Sequence, residues 1–166
     1  LAKPLTAATV LLEVAAGRLD LDEPAGPTAD QGATLRHLLA HAAGLGFEQD
    51  ERTMVPGNRR IYSNWGYEVA AALATQRAGM SFADLMRERL TGPLGMTSTT
   101  LAGSPAHAVT STVEDLARFV TELVAPRTLA AQTHALLTTP AFPELDGVLA
   151  GFGRQRPNGW TLGLEV

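Results

Sequence analysis

Helical patterning fills most of this chain, and strand patterning is confined to the stretch beyond Pro143. That order reads as a helical block followed by the first hairpin of a sheet, an α+β arrangement. Residues 3–16 carry Leu5, Ala8, Leu12, Val14 and Ala15 at helical spacing, with Pro4 suited to a first turn and Gly17 as a stop. Thr34 is placed to cap a short helix over 35–40, closed by Gly44-Leu45-Gly46. Residues 47–60 have no periodicity and read as a long loop. Asn64 can cap a helix over 65–78 that ends at Gly79. Ser81 can cap the next, with Phe82, Leu85, Met86 and Leu90 inward and Arg87 and Glu88 outward. Pro93-Leu94-Gly95-Met96 is a turn. Thr112 and Asp115 open a further helix whose buried stripe is expected to be Val113, Leu116, Val120, Leu123 and Val124. A weaker helix follows over 128–137. Strands are expected over 149–155 and 160–166, joined at Pro157-Asn158-Gly159, where Asn-Gly is a hairpin signal.

The 166 residues suffice for one domain with a core. A net charge of −4 argues against a nucleic-acid partner. No cysteine is present, so thiol nucleophiles, disulfides and thiolate metal sites are excluded. The longest apolar run, residues 10–16, is broken by Glu13 and falls far short of a membrane span. A helix that starts within the first residues lacks a cap, and this predicts that the chain begins inside a longer sequence. A leader would then lie upstream, which leaves periplasmic, secreted and cytoplasmic locations open. A two-stranded sheet is marginal alone, so apolar surface should be exposed unless another chain covers it.

Three side chains have chemical promise. A serine three residues before Lys3 would lie one turn away on the same helix face. Serine attacks well only when a base takes its proton, and lysine serves only if burial or a neighbouring cation lowers its pKa. In the start Leu1-Ala2-Lys3-Pro4-Leu5-Thr6-Ala7, Lys3 is either such a base, with its serine just ahead of Leu1, or a solvated lysine near a terminus. Ile61-Tyr62-Ser63-Asn64-Trp65-Gly66-Tyr67 adds a Tyr-x-Asn triplet. Tyr62 is either a base or a loop anchor, and a phenol near pKa ~10 needs a cation to act as a base at neutral pH. Asn64 either holds Lys3 and a substrate carbonyl or caps its helix. His37 and His41 lie four apart, as a metal pair would, but the adjacent Glu of a His-Glu-x-x-His site is absent and no third ligand is evident. Asp50 and Glu51 belong to a polar loop. No metal or cofactor is expected.

The Lys3 segment and the Tyr62-x-Asn64 triplet resemble the serine hydrolases of the β-lactamase and D-Ala-D-Ala peptidase family, nearest to class C β-lactamases and related esterases. Four further stretches agree in order. They are Arg36-His37-Leu38-Leu39-Ala40-His41-Ala42-Ala43-Gly44-Leu45, Pro93-Leu94-Gly95-Met96-Thr97-Ser98-Thr99, the segment from Thr110 to Phe119, and Gly151-Phe152-Gly153. The resemblance implies a β-lactamase/transpeptidase-like fold in which a helical lobe packs on an antiparallel sheet formed by both chain ends. It implies one incomplete domain over 1–166, with the nucleophile helix and helical lobe in 1–147 and the first hairpin of the C-terminal sheet in 148–166. It further implies a serine just before Leu1, with Lys3, Tyr62 and Asn64 as catalytic residues. In that scheme Lys3 depresses the Tyr62 phenol, which shares the serine's proton and later protonates the leaving group. His37 and His41 would be buried and hydrogen-bonded. The substrate would be a small β-lactam, D-Ala-D-Ala peptide or simple ester. A Lys-Thr-Gly or His-x-Gly strand and an oxyanion-hole strand are not found. The alternative is a non-catalytic binding or scaffold protein with the same fold.

Overall fold

The computed structural model describes residues 1–48, 51–149 and 153–166. Asp50 and the Gly151-Phe152 part of the last matching stretch lie outside them. Helix α1 (Ala2–Ala15) is the centre of the chain and packs on α3 (Asn64–Ala78), α4 (Phe82–Met86) and α6 (Ala131–Thr138). A helix covered from several sides has no polar face to spare. The buried set is accordingly wider than the expected stripe and includes Leu5, Ala7, Ala8, Val10 and Leu11, while Ala15 is exposed. Gly17, at φ 71°, ends the helix where expected.

Glu13 is fully buried near the end of α1. Arg18 forks onto its carboxylate through Nε and, at 2.6 Å, through a terminal nitrogen; Arg89 adds a contact at 3.3 Å. These guanidinium partners hold the carboxyl below its ordinary range, against the upward push of burial. The apolar run of α1 therefore tolerates an acid because two cations meet it.

Short α2 (Leu35–Leu39) starts at Thr34, where the His37 ring takes the role a Glu would have in a capping box: its Nδ1 accepts from the Thr34 N–H at 3.3 Å. Ser63, rather than Asn64, caps α3, its hydroxyl accepting from the Gly66 N–H at 3.0 Å. Asn64 is thereby released for other bonding. Helix α4 buries Phe82, Leu85 and Met86, and Leu90 continues that face through a π-helical turn at Arg87–Thr91.

The stripe expected for α5 (Val113–Val124) is met only in part, by Leu116 and Leu123, both half-buried, with Leu123 against the core. Val113, Val120 and Val124 are exposed at 78%, 52% and 79%, and the buried face carries Asp115, Phe119 and Glu122. The reason is polar. Asp115 accepts from the Ser98 N–H and the Thr99 hydroxyl, both at 2.8 Å, and Glu122 accepts from the N–H groups of Arg127, Thr128 and Leu129. Two buried carboxylates tie flanking loops to the helix, an arrangement that a search for apolar spacing overlooks.

The β structure also differs from expectation. A two-residue pair, β1 (Thr100–Leu101) with β2 (Val109–Thr110), was not foreseen. The pair near the end is β3 (Gly147–Leu149) with β4 (Gly153–Gln155), antiparallel with Leu149 opposite Gly153, so Leu149 and Gln155 lie on different strands; residues 150–152 of the expected strand lie outside the described residues. Asn158-Gly159 is not the hairpin turn. Asn158 is buried; its N–H bonds to the Leu145 carbonyl, and a Cβ at Gly147 would lie 2.3 Å from its Oδ1. Residues 160–166 fold back on themselves through a bridge between Trp160 and Glu165. This last turn seats on α1, where a Cβ at Gly163 (φ 129°) would stand 2.6 Å from the Ala7 Cβ.

Arg60 joins these parts. Its buried guanidinium donates to the carbonyls of Ala40 (2.5 Å), Phe142 (2.8 Å), Ala141 and Asn158, and its own N–H reaches Asp146. One planar fork thus satisfies carbonyls from the end of α2 and from two points of the C-terminal segment. Arg60→Met should cost roughly 3 kcal/mol or more, because several buried carbonyls lose their donors together. Arg60→Lys should restore little, since a single ammonium cannot span four carbonyls. Urea unfolding of the three proteins measures both effects.

Candidate active site

Lys3 is the only lysine in the chain and is buried at 5% exposure in the first turn of α1. Its ammonium donates to Asn64 Oδ1 at 2.5 Å and to the Ala106 carbonyl at 3.1 Å. It also lies over the Tyr62 ring, 4.3 Å from the centroid, with the Tyr67 ring at 5.5 Å. Lys3, Tyr62 and Asn64, sixty residues apart in sequence, are brought together because the first turns of α1 and α3 meet. Lys3 faces the π-face of Tyr62 rather than its hydroxyl.

Burial draws Lys3 down to about 8, with the Glu48 and Glu68 carboxylates opposing the fall. Its position in the first turn of a helix works in the same direction as burial, because the dipole disfavours a cation there. The Tyr62 phenol moves the other way from the expectation. Partial burial raises it and the nearby Glu165 raises it further, so Lys3 does not depress it. The phenolic oxygen has no hydrogen-bond partner among the described residues, and the side chain is 43% exposed.

Local geometry explains why Tyr62 stands where it does. His41, at φ 57°, turns the chain at the end of α2, and its carbonyl accepts the Ile61 N–H at 3.0 Å. Its Nδ1 accepts the Ser63 N–H at 3.1 Å, which assigns the ring proton to Nε2. The imidazole stacks on Tyr62 at 4.6 Å and meets the Trp160 ring edge-on at 4.6 Å. Burial first, then the charges of Lys3 and Arg60, hold His41 well below the ordinary histidine range, so the ring is neutral. His37 instead packs on Phe142 and bonds Thr34. The two histidines therefore serve different neighbours.

Ser63, between the two candidate residues, is buried and fully occupied. Its hydroxyl donates to the Gly46 carbonyl at 2.6 Å while capping α3. Asn64 donates through Nδ2 to Glu48 at 2.6 Å. On the far side of Tyr62 lies a cavity of about 330 Å³, walled by Phe47, Tyr62, Val148 and Trp160, with His41 and Glu165 also at its boundary. Lys3 and Asn64 do not line it, so Tyr62 separates the polar cluster from the apolar space.

Sequence reasoning missed Glu48, Glu68, Trp160 and Arg60. Glu48 sits in a loop without periodicity, and Glu68 reads as an ordinary polar position of α3. The one available signal was the single lysine, which marks position 3 as unlike any surface position of the chain.

The chain is similar to known proteins in sequence and in fold. The Beta-lactamase family model matches residues 1–164. A β-lactamase of Mycobacterium bovis, solved by crystallography, is 47% identical and superposes with a TM-score of 0.93 over 99% of this chain and 61% of its own. A D-stereospecific amidohydrolase from Streptomyces, 20% identical, shares the fold with a TM-score of 0.81 over 99% of this chain and 68% of its own. A β-lactamase of Escherichia coli K12 is 26% identical over 72% of this chain and 45% of its own length. A penicillin-binding protein of Bacillus subtilis strain 168 is 30% identical over 60% of this chain and 29% of its own. The chain thus spans under half the length of these two curated relatives. With the family model matched over nearly every residue and the fold reproduced at that TM-score, the chain belongs to the β-lactamase family and has the β-lactamase/transpeptidase-like α+β fold.

Proposed function

We propose that this chain carries the general-base side of a serine hydrolase site, acting on an ester or amide carbonyl through an acyl-enzyme. The nucleophile would be a serine immediately before Leu1, one helical turn from Lys3. The observation that carries this reading is the convergence of a buried lysine, its pKa drawn down to about 8 by burial, with Asn64 and Tyr62. Neutral Lys3 takes the serine proton while the serine oxygen forms a bond to the carbonyl carbon. As the tetrahedral intermediate collapses, the bond to the leaving group breaks and that group receives a proton. Tyr62 suits that later step, since a phenol with a raised pKa holds its proton at neutral pH and does not act there as a base; the phenolate it leaves then takes up the proton that Lys3 removed from the serine, which returns both groups to their starting forms. Water then repeats the sequence on the acyl-enzyme and releases the acid. Asn64 would hold the lysine through Oδ1 and offer its second Nδ2 proton to the substrate carbonyl. The apolar cavity beside Tyr62 would take a hydrophobic part of a small β-lactam, peptide or ester.

In the full-length enzyme, Lys3→Ala and Tyr62→Phe should each lower hydrolysis of a chromogenic ester by roughly 10²–10⁴-fold. Thermal melts would check that both variants fold. Normal turnover by the Lys3 variant would remove the lysine from the mechanism.

The sign of the pH dependence follows from the base role. Only the neutral amine accepts a proton, so kcat/KM should rise with pH and level off above about 8. A rate that is flat between pH 6 and 9 would contradict a lysine base.

The 166-residue chain itself should take no label from a fluorophosphonate, because Ser63 spends its hydroxyl on Gly46 and Gly66. Intact mass after exposure reads this directly. A stoichiometric adduct at Ser63 would place the nucleophile there instead.

A further inference from the structure

Lys3 has two hydrogen-bond acceptors, and each is held by a different carboxylate. Asn64 is the first. An ammonium only donates and a carboxylate only accepts, so an amide between them has one workable orientation. Glu48 accepts from Nδ2 at 2.6 Å, which leaves Oδ1 to face Lys3. Were Glu48 absent, Lys3 alone would orient the amide.

The Ala106 carbonyl is the second acceptor, on the loop between β1 and β2. Ser104 accepts the Ala106 N–H at 3.1 Å and its hydroxyl donates to the Glu68 carboxylate on α3. Thr6 on α1 donates to the Pro105 carbonyl at 2.7 Å, binding the same loop to the helix that carries Lys3. Glu68 therefore fixes the loop that presents the Ala106 oxygen.

The titratable groups facing Lys3 are Glu48 from the loop after α2, Glu68 and Tyr67 from α3, Tyr62 before α3, and His41 at the end of α2. His41 is kept neutral by burial. Tyr67 is pushed above the ordinary phenol range by burial and spends its hydroxyl on the Leu39 carbonyl. Tyr62 is likewise raised. The two glutamates are the remaining charges, and both favour the ammonium.

We propose that Glu48 and Glu68 are paired positioning residues, each holding one acceptor of Lys3 in place and together setting how readily Lys3 releases its proton. This rests on the reading of Lys3 as a base, but it can be tested without any activity. Because the chain has one lysine, side-chain-labelled lysine gives a single ε resonance whose titration can be followed by NMR. Glu48→Gln and Glu68→Gln each remove a charge with little change of shape. Each should lower the titration midpoint by roughly half a pH unit, and the double variant by about twice that. A midpoint that stays at the wild-type value in either single variant overturns the proposal. Exposed Glu48 should tolerate substitution, which keeps one arm informative if Glu68→Gln disturbs the β1–β2 loop. In the full-length enzyme, the acid limb of kcat/KM should follow the resonance to lower pH in Glu48→Gln. If the resonance moves and the limb does not, the positioning role stands and the lysine-base reading fails.

Discussion

An ammonium group removed from water must find acceptors or give up its proton, and Lys3 is balanced between those outcomes. Two oxygens, two aromatic faces and two more distant carboxylates support the charge; burial and the start of a helix oppose it. Much of the neighbouring architecture follows from meeting that requirement. Ser63 caps α3 so that Asn64 is free to turn toward the lysine. His41 pins the backbone ahead of Ser63 and braces Tyr62. The β1–β2 loop, structurally slight, is tied down at Thr6 and Glu68 so that a carbonyl arrives where the ammonium needs it.

Helix α1 bears an unusual electrostatic load. It carries a buried cation in its first turn and a buried anion near its last, each at the end where the helix dipole is unfavourable. The two cases are resolved differently. Glu13 is neutralised by Arg18 and Arg89 at contact distance, so its charge is secure. Lys3 has no carboxylate at contact distance among the described residues; Glu48 and Glu68 act through intermediaries. A charge meant only to persist resembles Glu13, and one meant to be given up resembles Lys3. Within one helix the contrast separates structural ionisation from the ionisation suited to proton transfer.

How much was legible in the sequence depends on whether local pattern or distant packing decides a feature. The positions of α1, α3 and α4 follow from caps, glycines and apolar spacing, and those elements agree closely with the reading. The meeting of Lys3, Tyr62 and Asn64 was legible through motif order, since no local pattern specifies contact across sixty residues. Misreadings arose where polar groups perform core work. In α5 two of the three buried positions, Asp115 and Glu122, are carboxylates that satisfy loop donors, so the exposed valines attracted the assignment. Asn158-Gly159 has the composition of a hairpin turn, yet Asn158 is held by the Leu145 carbonyl and by close packing on Gly147. Tertiary contacts override local turn preference there. Glu48 and Glu68 were invisible because an acid in a loop and an acid on a helix surface look ordinary until their partners are known.

The contact between Gly163 and Ala7 has a wider consequence. These residues form a size-matched pair, the one without a Cβ and the other with only that atom, and they let the final turn lie flat on α1. Trp160 belongs to that turn and walls the cavity beside Tyr62. A larger side chain at position 7 would lift the turn and carry the Trp160 indole with it. The breadth of the apolar space is thus adjustable from the hidden side of the core, by drift at a position that touches neither the cavity nor the candidate catalytic cluster. Selectivity among relatives of this chain could diverge through the packing of its central helix while every lining residue stayed the same.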